Sequence, residues 1–323
     1  MCYFTIIAAA CIFTACTANQ NAIEPTAALI SEKLIPGFAS GSGMALVGGK
    51  YYAAGDDDAY LHILDRDGEV LKKIQIWDTA DIVDGRIRKP VKPDFEAVTA
   101  LPFEGDTALL IFGSGSISPQ RDVLMLLNPH TSRSPERLPA DTAFFAWLRT
   151  AADLGKKEVN LEGAAFRKGE LLLFNRHNNE LYRIPGKGFR NFLTSGTTDD
   201  LTLERRRYVL PDIGGDSARF SGASILSDGS TVLFCASVEL TDNAVDDGAV
   251  KGSFIGTIDL DKAGIEPRFY AQVMRPDGST FRGKIEAVEG SRDAEGILIA
   301  TGITDNDDGT TYMVEVRIKS EGE

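Results

Sequence analysis

Short runs of apolar residues alternate with polar turns along most of the chain. Asp-Gly pairs, which favour the tight turns of β-hairpins, recur between these runs, at Asp67, Asp228, Asp247, Asp277 and Asp308. Short strands at even spacing, separated by turns of this kind, are typical of antiparallel sheets. The pattern therefore predicts an all-β protein.

The apolar runs belong to an internal repeat. Five units each open with a small or acidic residue followed by an apolar strand, and further apolar strands follow in each unit. The units begin near Gly43, Glu96, Glu162, Gly222 and Glu286, with spacings of 53, 66, 60 and 64 residues. Repeats of this length with about four strands each are typical of propeller blades. We predict a β-propeller of five four-stranded blades.

The two ends of the repeat region fit together. The segment 29–36 resembles the strand before the fourth unit, whereas the fifth unit ends near Ile318 without a fourth strand. An N-terminal strand that supplied it would close the ring and cover an exposed sheet edge. The sequence thus predicts one propeller domain over residues 29–320. A sixth blade hidden in connections such as 186–205 stays open at this point.

One insertion has helical spacing instead. Phe144, Phe145, Leu148 and Ala152 recur at intervals that place them on one face of a helix over residues 142–153. Asp141 is the predicted N-cap, and Gly155 follows the predicted end. We expect one helical insertion, with its apolar face sealed onto the sheets.

The N-terminal segment carries no charge before Glu24, and Tyr3 to Phe13 is nearly all apolar. That run is too short to span a bilayer, which needs ~20 residues, but it has the length of a signal-peptide core. Phe13-Thr14-Ala15-Cys16 resembles the site at which bacterial lipoproteins are cleaved and acylated on cysteine. We predict a signal peptide over 1–15, lipidation of Cys16, a tether over 16–28, and a protein anchored in the cell envelope.

Charge and cysteine content narrow the function classes. With 34 basic and 47 acidic residues the net charge is −13, which disfavours nucleic acid as a partner. Cys235 lies alone in an apolar run and is predicted to be a packing residue, because a reactive thiolate needs a polar site. We expect a monomer that contacts the membrane only through its lipid.

Polar residues recur at matching places in the units. In a propeller blade, the start of the innermost strand and the loop between the second and third strands lie on the same face. Acidic, basic and amide side chains at these places, including the loop 56–58, should converge on one central mouth. The candidate ligand-binding residues are Glu96, Arg121, Glu162, Arg176, Asn178, Glu239, Lys284, Glu286, Asp305 and Asn306.

Three interpretations of this mouth stay open. In the first, the mouth is a structural network in which a Glu of one blade pairs with an Arg or Lys of the next. In the second, the mouth binds a small polar molecule or sugar, with two carboxylates available for hydrolysis. The third interpretation is a metal site, with Ca²⁺ as the candidate and Glu96, Glu162 and Glu286 as ligands. The three histidines lack zinc spacing, and no Gly-x-Ser-x-Gly motif occurs.

Several segments together resemble a known family. They include Lys92-Pro93-Asp94-Phe95-Glu96-Ala97, Asn160-Leu161-Glu162-Gly163, Asn175-Arg176-His177-Asn178 and Phe220-Ser221-Gly222-Ala223. The resemblance is to bacterial propeller proteins known only as a domain of unknown function, whose members are often predicted to be secreted or lipid-anchored. It implies a propeller and export, and no activity. More distantly, the Glu-Gly starts are similar to those of lactonase-like and phytase-like propellers, in which axial acidic residues hold Ca²⁺.

The sequence therefore predicts an envelope-anchored propeller that binds a small polar ligand at its mouth. One alternative is a hydrolase of a glycoside, lactone or phosphoester, with Glu96, Glu162 or Glu286 as acid, base or metal ligand. Another is a protein-interaction platform that uses the outer edges of the blades.

Overall fold

A computed structural model of the chain describes residues 25–131, 133–240, 248–306 and 308–319. The predicted signal peptide, Cys16 and most of the predicted tether lie outside the described residues. The regular structure of the described chain is mainly β-strands joined by turns and loops, with two α-helices, as the alternation of apolar runs and turns predicts for an all-β protein.

The strands follow one another as short antiparallel units. The first strand is β1 (Thr26–Leu34). The next unit contains β2 (Gly41–Val47), β3 (Lys50–Gly55), β4 (Tyr60–Leu64) and β5 (Val70–Gln75). A 3-10 turn (Thr79–Asp81) then leads into a small hairpin of β6 (Ile82–Val83) and β7 (Arg86–Ile87). The second unit contains β8 (Phe95–Phe103), β9 (Asp106–Gly113), β10 (Leu124–Leu127) and β11 (Glu136–Arg137).

The third unit contains β12 (Leu161–Arg167), β13 (Glu170–Asn175), β14 (Glu180–Pro185) and β15 (Glu204–Arg207). A second small hairpin is formed by β16 (Asp212–Ile213) and β17 (Asp216–Ser217). The fourth unit contains β18 (Arg219–Ile225), β19 (Thr231–Glu239), β20 (Val250–Asp259) and β21 (Phe269–Met274). The last unit contains β22 (Lys284–Arg292), β23 (Leu298–Asp305) and β24 (Tyr312–Lys319).

The N-terminal strand completes the last unit. β1 runs antiparallel to β24, from Thr26 opposite Lys319 to Leu34 opposite Tyr312, so the prediction of such a closing strand is confirmed. It also pairs in parallel with β21 over two residues, and thereby joins the fourth and last units into one eight-stranded sheet. β1 begins three residues before the predicted domain boundary at residue 29, so the end of the predicted tether belongs to the sheet.

The first strands of the units adjoin one another around an axis. β2 contacts β8, β8 contacts β12, β12 contacts β18, β18 contacts β22, and β22 returns to β2. Apolar side chains fill the space between each pair of neighbouring units: Leu109 packs with Tyr52 between the first two, and Met313 packs with Met44 between the last and the first. The fold is therefore propeller-like.

Cys235 lies within one of these clusters and is fully buried, as predicted.

The predicted helix forms, but it is one of two in the described residues. α1 covers Asp141–Ala151, and its four predicted core residues are all fully buried. Asp141 is not the N-cap: Ala140 holds that place, and the Asp141 carboxylate lies in the first turn, where Oδ2 accepts a hydrogen bond of 2.6 Å from Arg137 Nε.

The second helix, α2 (Gly186–Ser195), contradicts the prediction of a single helical insertion. Two glycines near its start lower its helix propensity by about 1 kcal/mol each, so local sequence gives little indication of it. Packing supplies the missing stability, because Phe189 and Phe192 are buried against Phe144 of α1. Within the described ranges, no helix is long and apolar enough to cross a membrane.

Candidate functional site

The strands that adjoin one another around the axis are called the axial strands, and each carries a β-bulge near its start. They are β2, β8, β12, β18 and β22. In β8 the pairing with β9 passes from Phe95 directly to Ala97, and the same shift occurs in the other four. The residues left out of the ladders are Ser42, Glu96, Glu162, Ser221 and Glu286. A bulge re-aims the side chain of its extra residue. The three glutamates predicted from the repeat therefore occupy one equivalent structural position.

The residue after each bulge is small because the axial strands lie close together. A Cβ on Gly163 would lie 2.9 Å from the backbone nitrogen of Ala223, and one on Gly222 would lie 2.4 Å from the carbonyl oxygen of Glu286. Both distances are shorter than van der Waals contact. Close packing at the axis thus explains the Glu-Gly and Ser-Gly pairs that open these units.

Two groups of carboxylates meet at the mouth. Glu96, Glu162 and Glu286 form what we call the axial triad, with carboxylate oxygens within 4.8 Å of one another. Asp56, Asp94 and Glu96 form the rim triad, with carboxylate oxygens also within 4.8 Å of one another. Glu286 is 1% exposed and Glu162 is 7% exposed, whereas Glu96 is partly exposed. Glu96 belongs to both triads.

A lysine occupies the rim triad. Lys92 Nζ lies 3.0 Å from Asp94 Oδ1 and also forms an ion pair with Asp56 Oδ2. Arg121 Nη1 pairs with the other oxygen of Asp94 at 2.5 Å, and Ser114 Oγ donates a hydrogen bond to that same oxygen. Asp94 is therefore fully partnered.

Ion pairs also surround the axial triad, and they cross between units. Arg176, in the turn after β13, pairs with Glu239 at the end of β19 at 2.6 Å, and lies 3.9 Å from Glu162. Lys284, at the start of β22, lies 2.7 Å from Glu286 and 3.3 Å from Glu239. The predicted pairing of acidic residues with Arg and Lys of neighbouring units is confirmed for Glu239.

Glu96 is the exception in this network. No ion pair joins its carboxylate to a described cation, although its charge acts on Lys92; neither oxygen of Glu286 accepts a hydrogen bond from the described chain, and only Oε1 has Lys284 Nζ close by, at 2.7 Å. The two triads and Glu239 together contain six carboxylates, and among the described residues five of the six form ion pairs with four cations: Asp56, Asp94, Glu162, Glu239 and Glu286 with Lys92, Arg121, Arg176 and Lys284, whereas Glu96 forms none. With every group ionised, the mouth carries two surplus negative charges.

Burial and crowding shift the acidities of these groups. Burial raises the pKa of Glu96 well above its usual range, and the charges of Glu162 and Asp94 raise it further. Burial likewise raises the pKa of Glu162 and of Glu286, although Arg176 and Lys284 oppose it. For Asp94 burial acts in the same direction, but Lys92 and Arg121 outweigh it, and the pKa of Asp94 is lowered.

The helical insertion holds part of the rim. Arg149 of α1 donates hydrogen bonds of 3.0 and 2.6 Å to the two oxygens of the fully buried Asp122 carboxylate, and one of 2.7 Å to the carbonyl of Gly115. Gly115 lies between Ser114 and Ser116, whose hydroxyls face Asp94. α1 therefore fixes the loop that carries Arg121 and positions Asp94.

The other predicted residues lie near the mouth with partners of their own. Asn178 Oδ1 accepts a hydrogen bond of 2.9 Å from Asn175 Nδ2, and Asn306 Nδ2 donates one of 3.4 Å to the carbonyl of Thr310. Asp305 is buried at the end of β23, opposite Lys284 in the ladder. Both asparagines thus stabilise their own turns and do not join the charged network.

Sequence reasoning missed Lys92 and Asp94 as site residues. They precede β8, outside the two places from which the candidates were drawn. The sequence signal for both is the segment 92–97, which carries part of the family resemblance.

Comparison with known proteins supports the resemblance seen in the sequence. The model of a family of unknown function, DUF6929, matches residues 37–318. No curated protein matches the chain.

Among solved structures, the chain is similar to glutaminyl cyclase of Myxococcus xanthus, with 10% identity and a TM-score of 0.48 over 92% of this chain and 99% of that one. It is also similar to an arabinanase of Bacillus subtilis, with 13% identity and a TM-score of 0.43 over 88% of this chain and 95% of that one. These likenesses are too weak to indicate a shared activity.

Proposed function

Because the chain belongs to this family of unknown function, we propose its function from the mouth itself: the protein is an exported five-bladed propeller that binds a small polar ligand at its axis. The proposal includes cleavage of residues 1–15 and anchoring in the cell envelope through a lipid on Cys16. The propeller domain then projects from the membrane, with no further membrane contact and no nucleic-acid partner.

The ligand that best suits this mouth is a divalent cation, and Ca²⁺ is our candidate. The two surplus negative charges support it, since buried charges are costly unless paired or coordinated. Glu96 without a partner and Glu286 with a free Oε2 offer oxygen ligands, which hard cations such as Ca²⁺ prefer. A purely structural network would have to offset these charges by keeping carboxyls of the axial triad protonated.

A sugar-sized ligand has less support. A cavity of about 740 Å³ lies between the fourth and last units, lined by residues such as Leu226, Phe254 and Arg292. Arg292 is at the far end of β22 from Lys284 and Glu286, so the cavity is separate from the axial triad. The carboxylate oxygens of the axial triad, by contrast, are close enough to enclose a single ion.

A melting experiment tests the cation. We expect 1 mM Ca²⁺ to raise the melting temperature by about 4 °C or more, and a chelator to reverse the rise, since a ligand that binds only the folded state stabilises it. Glu96→Gln should lose most of the response. Glu266→Gln, an exposed residue on the outer surface, should respond like the wild type. A wild-type melting curve that Ca²⁺ leaves unchanged would refute the proposal.

Hydrolysis is the second candidate, and the divergent acidities favour it. The pKa of Glu96 is raised and that of Asp94 is lowered, so Glu96 holds its proton to a higher pH than Asp94 does. Pairs of carboxyls separated in this way serve as acid and base in hydrolases. Turnover of chromogenic glycosides, lactones or phosphoesters that Glu96→Gln abolishes would support it; no turnover with or without Ca²⁺ would exclude it.

The lipid anchor has its own test. Cys16→Ser should shift the protein from the membrane fraction to the soluble periplasmic fraction, because the acylated thiol is the proposed anchor. Continued association of the variant with membranes would contradict this part of the proposal.

A further inference from the structure

We propose that Lys92 is a built-in counter-ion: its ammonium group fills the rim triad, which would otherwise be a second cation site, and so leaves the mouth one external ion to bind. The identity of that external ion rests on the proposed function. The role of Lys92 concerns the rim triad alone and can be tested separately.

The contacts of the lysine resemble those of a bound cation. Lys92 Nζ lies between Asp56 and Asp94, and its side chain is only 12% exposed. Burial alone would lower the pKa of Lys92, but the charges of Asp94, Asp56 and Glu96 outweigh it, so the pKa is raised and the group stays an ammonium. The positive charge of Lys92 thus interacts electrostatically with all three carboxylates of the rim triad.

The two triads differ in what lies among their oxygens. They share Glu96, yet a lysine reaches into the rim triad, whereas in the axial triad Lys284 approaches one oxygen of Glu286 and leaves the other free. Asp56 Oδ1, on the rim side, is also buried without a hydrogen-bond partner among the described residues. Removing the ammonium would therefore expose a set of oxygens suited to a hard cation.

The backbone around Lys92 keeps the ammonium in place. Gln120 Nε2 donates hydrogen bonds to the carbonyl oxygens of Lys89 and Lys92, at 3.0 and 3.2 Å. Gln120 belongs to the loop that Arg149 holds through Asp122 and Gly115. The lysine is thus anchored by the same insertion that orders the rim, as expected of a fixed component of the site.

The test compares wild type with Lys92→Met, a substitution that removes the charge at similar volume. Two measurements are made on each protein: calorimetric titration with Ca²⁺, and melting in the presence of Ca²⁺ or of a chelator. Lys92→Met should melt lower in chelator, gain an extra rise of about 4 °C or more in Ca²⁺ over wild type, and bind one more ion per chain. Lys92→Arg, which keeps the charge, should bind as wild type does. Lys251→Met, which breaks an outer ion pair with Asp216, is the matched control and should not change the stoichiometry.

The outcomes separate this inference from the proposed function. A Ca²⁺ response of Lys92→Met that exceeds that of wild type supports it, even where wild type itself does not respond and the proposed function fails. A response equal to that of wild type overturns it, whether wild type binds Ca²⁺ or not. If Lys92→Met does not fold, Lys92→Gln, whose amide can still donate to one carboxylate, replaces it under the same criteria.

Discussion

Glu96 shows how a single residue acquires a distinct chemical character from its position. Its neighbours at equivalent bulges, Glu162 and Glu286, have Arg176 and Lys284 close by, but Lys92, whose pKa the charge of Glu96 helps to raise, forms its ion pairs with Asp56 and Asp94. Holding a proton or sharing a cation stabilises a carboxyl in that situation, since a carboxylate that is largely removed from water and unpaired is costly. The need of Glu96 for either a proton or a cation, and not the number of acidic residues, makes the mouth a candidate site.

Glu289 provides a prediction at the same scale. It lies on β22 at the joint between the last and first units, where its Oε1 accepts a hydrogen bond of 3.0 Å from the backbone N–H of Leu46. Burial raises the pKa of Glu289 to about 7. The folded protein therefore retains a proton that the unfolded chain releases, and stability falls as pH rises from 4.5 through 7.

Glu289→Gln should remove that loss, because an amide oxygen can accept the same hydrogen bond without ionising. We expect the variant to melt about 2–4 °C above wild type at pH 8, with the difference shrinking towards pH 4.5. Glu295→Gln, at an exposed turn, should follow wild type at every pH. Parallel pH profiles of wild type and Glu289→Gln would contradict the assignment.

At the scale of elements, α1 stabilises the loop that carries Arg121 at the mouth, through the ion pair of Arg149 with Asp122. Arg149 is 8% exposed and its partner Asp122 is fully buried, so the pair cannot be broken without leaving a charge stranded. Arg149→Met should lower the free energy of unfolding by about 3–5 kcal/mol, measured by chemical denaturation. The exposed Lys156→Met, just beyond the helix, should change it by less than ~0.5 kcal/mol. A loss below ~1 kcal/mol for Arg149→Met would show that the Arg149–Asp122 pair contributes little to the stability of the protein.

The elements also differ in how far their sequences predict them. The axial strands were predictable because each begins with a bulge residue and a small residue that close packing at the axis requires, as Glu162-Gly163 shows. α2 was not, since its glycines conceal a helix that Phe189 and Phe192 hold by long-range packing. Lys92 was missed for a related reason: its connection to Asp56 spans 36 residues, and only the folded chain brings the two together.

For the whole molecule, the closing strand is the feature on which the ring depends. Leu29 of β1 is 5% exposed and packs among the strands of the fourth and last units, whereas Ile30, beside it, is 49% exposed. Leu29→Asp should destabilise the protein by about 3 kcal/mol or more, because it buries an unpaired carboxylate in that core. Ile30→Asp should cost less than ~1 kcal/mol, since its side chain faces solvent. Equal effects in a denaturation series would show that β1 does not close the structure.

The repeat, the closing strand and the convergence of charges at one mouth could all be predicted at this scale from the spacing of the units. The balance between those charges could not, because it depends on which lysine or arginine reaches which carboxylate. Arg121, for example, serves Asp94 and leaves Glu96 without a partner.

A crystal structure grown with Ca²⁺ tests the central claim most directly. The account predicts a calcium peak, verified by anomalous scattering, among the carboxylates of Glu96, Glu162 and Glu286, with calcium–oxygen distances of about 2.3–2.6 Å. Lys92 should still lie between Asp56 and Asp94. Carboxyls of the axial triad that hydrogen-bond to one another or to water, with no metal among them at millimolar Ca²⁺, would contradict it.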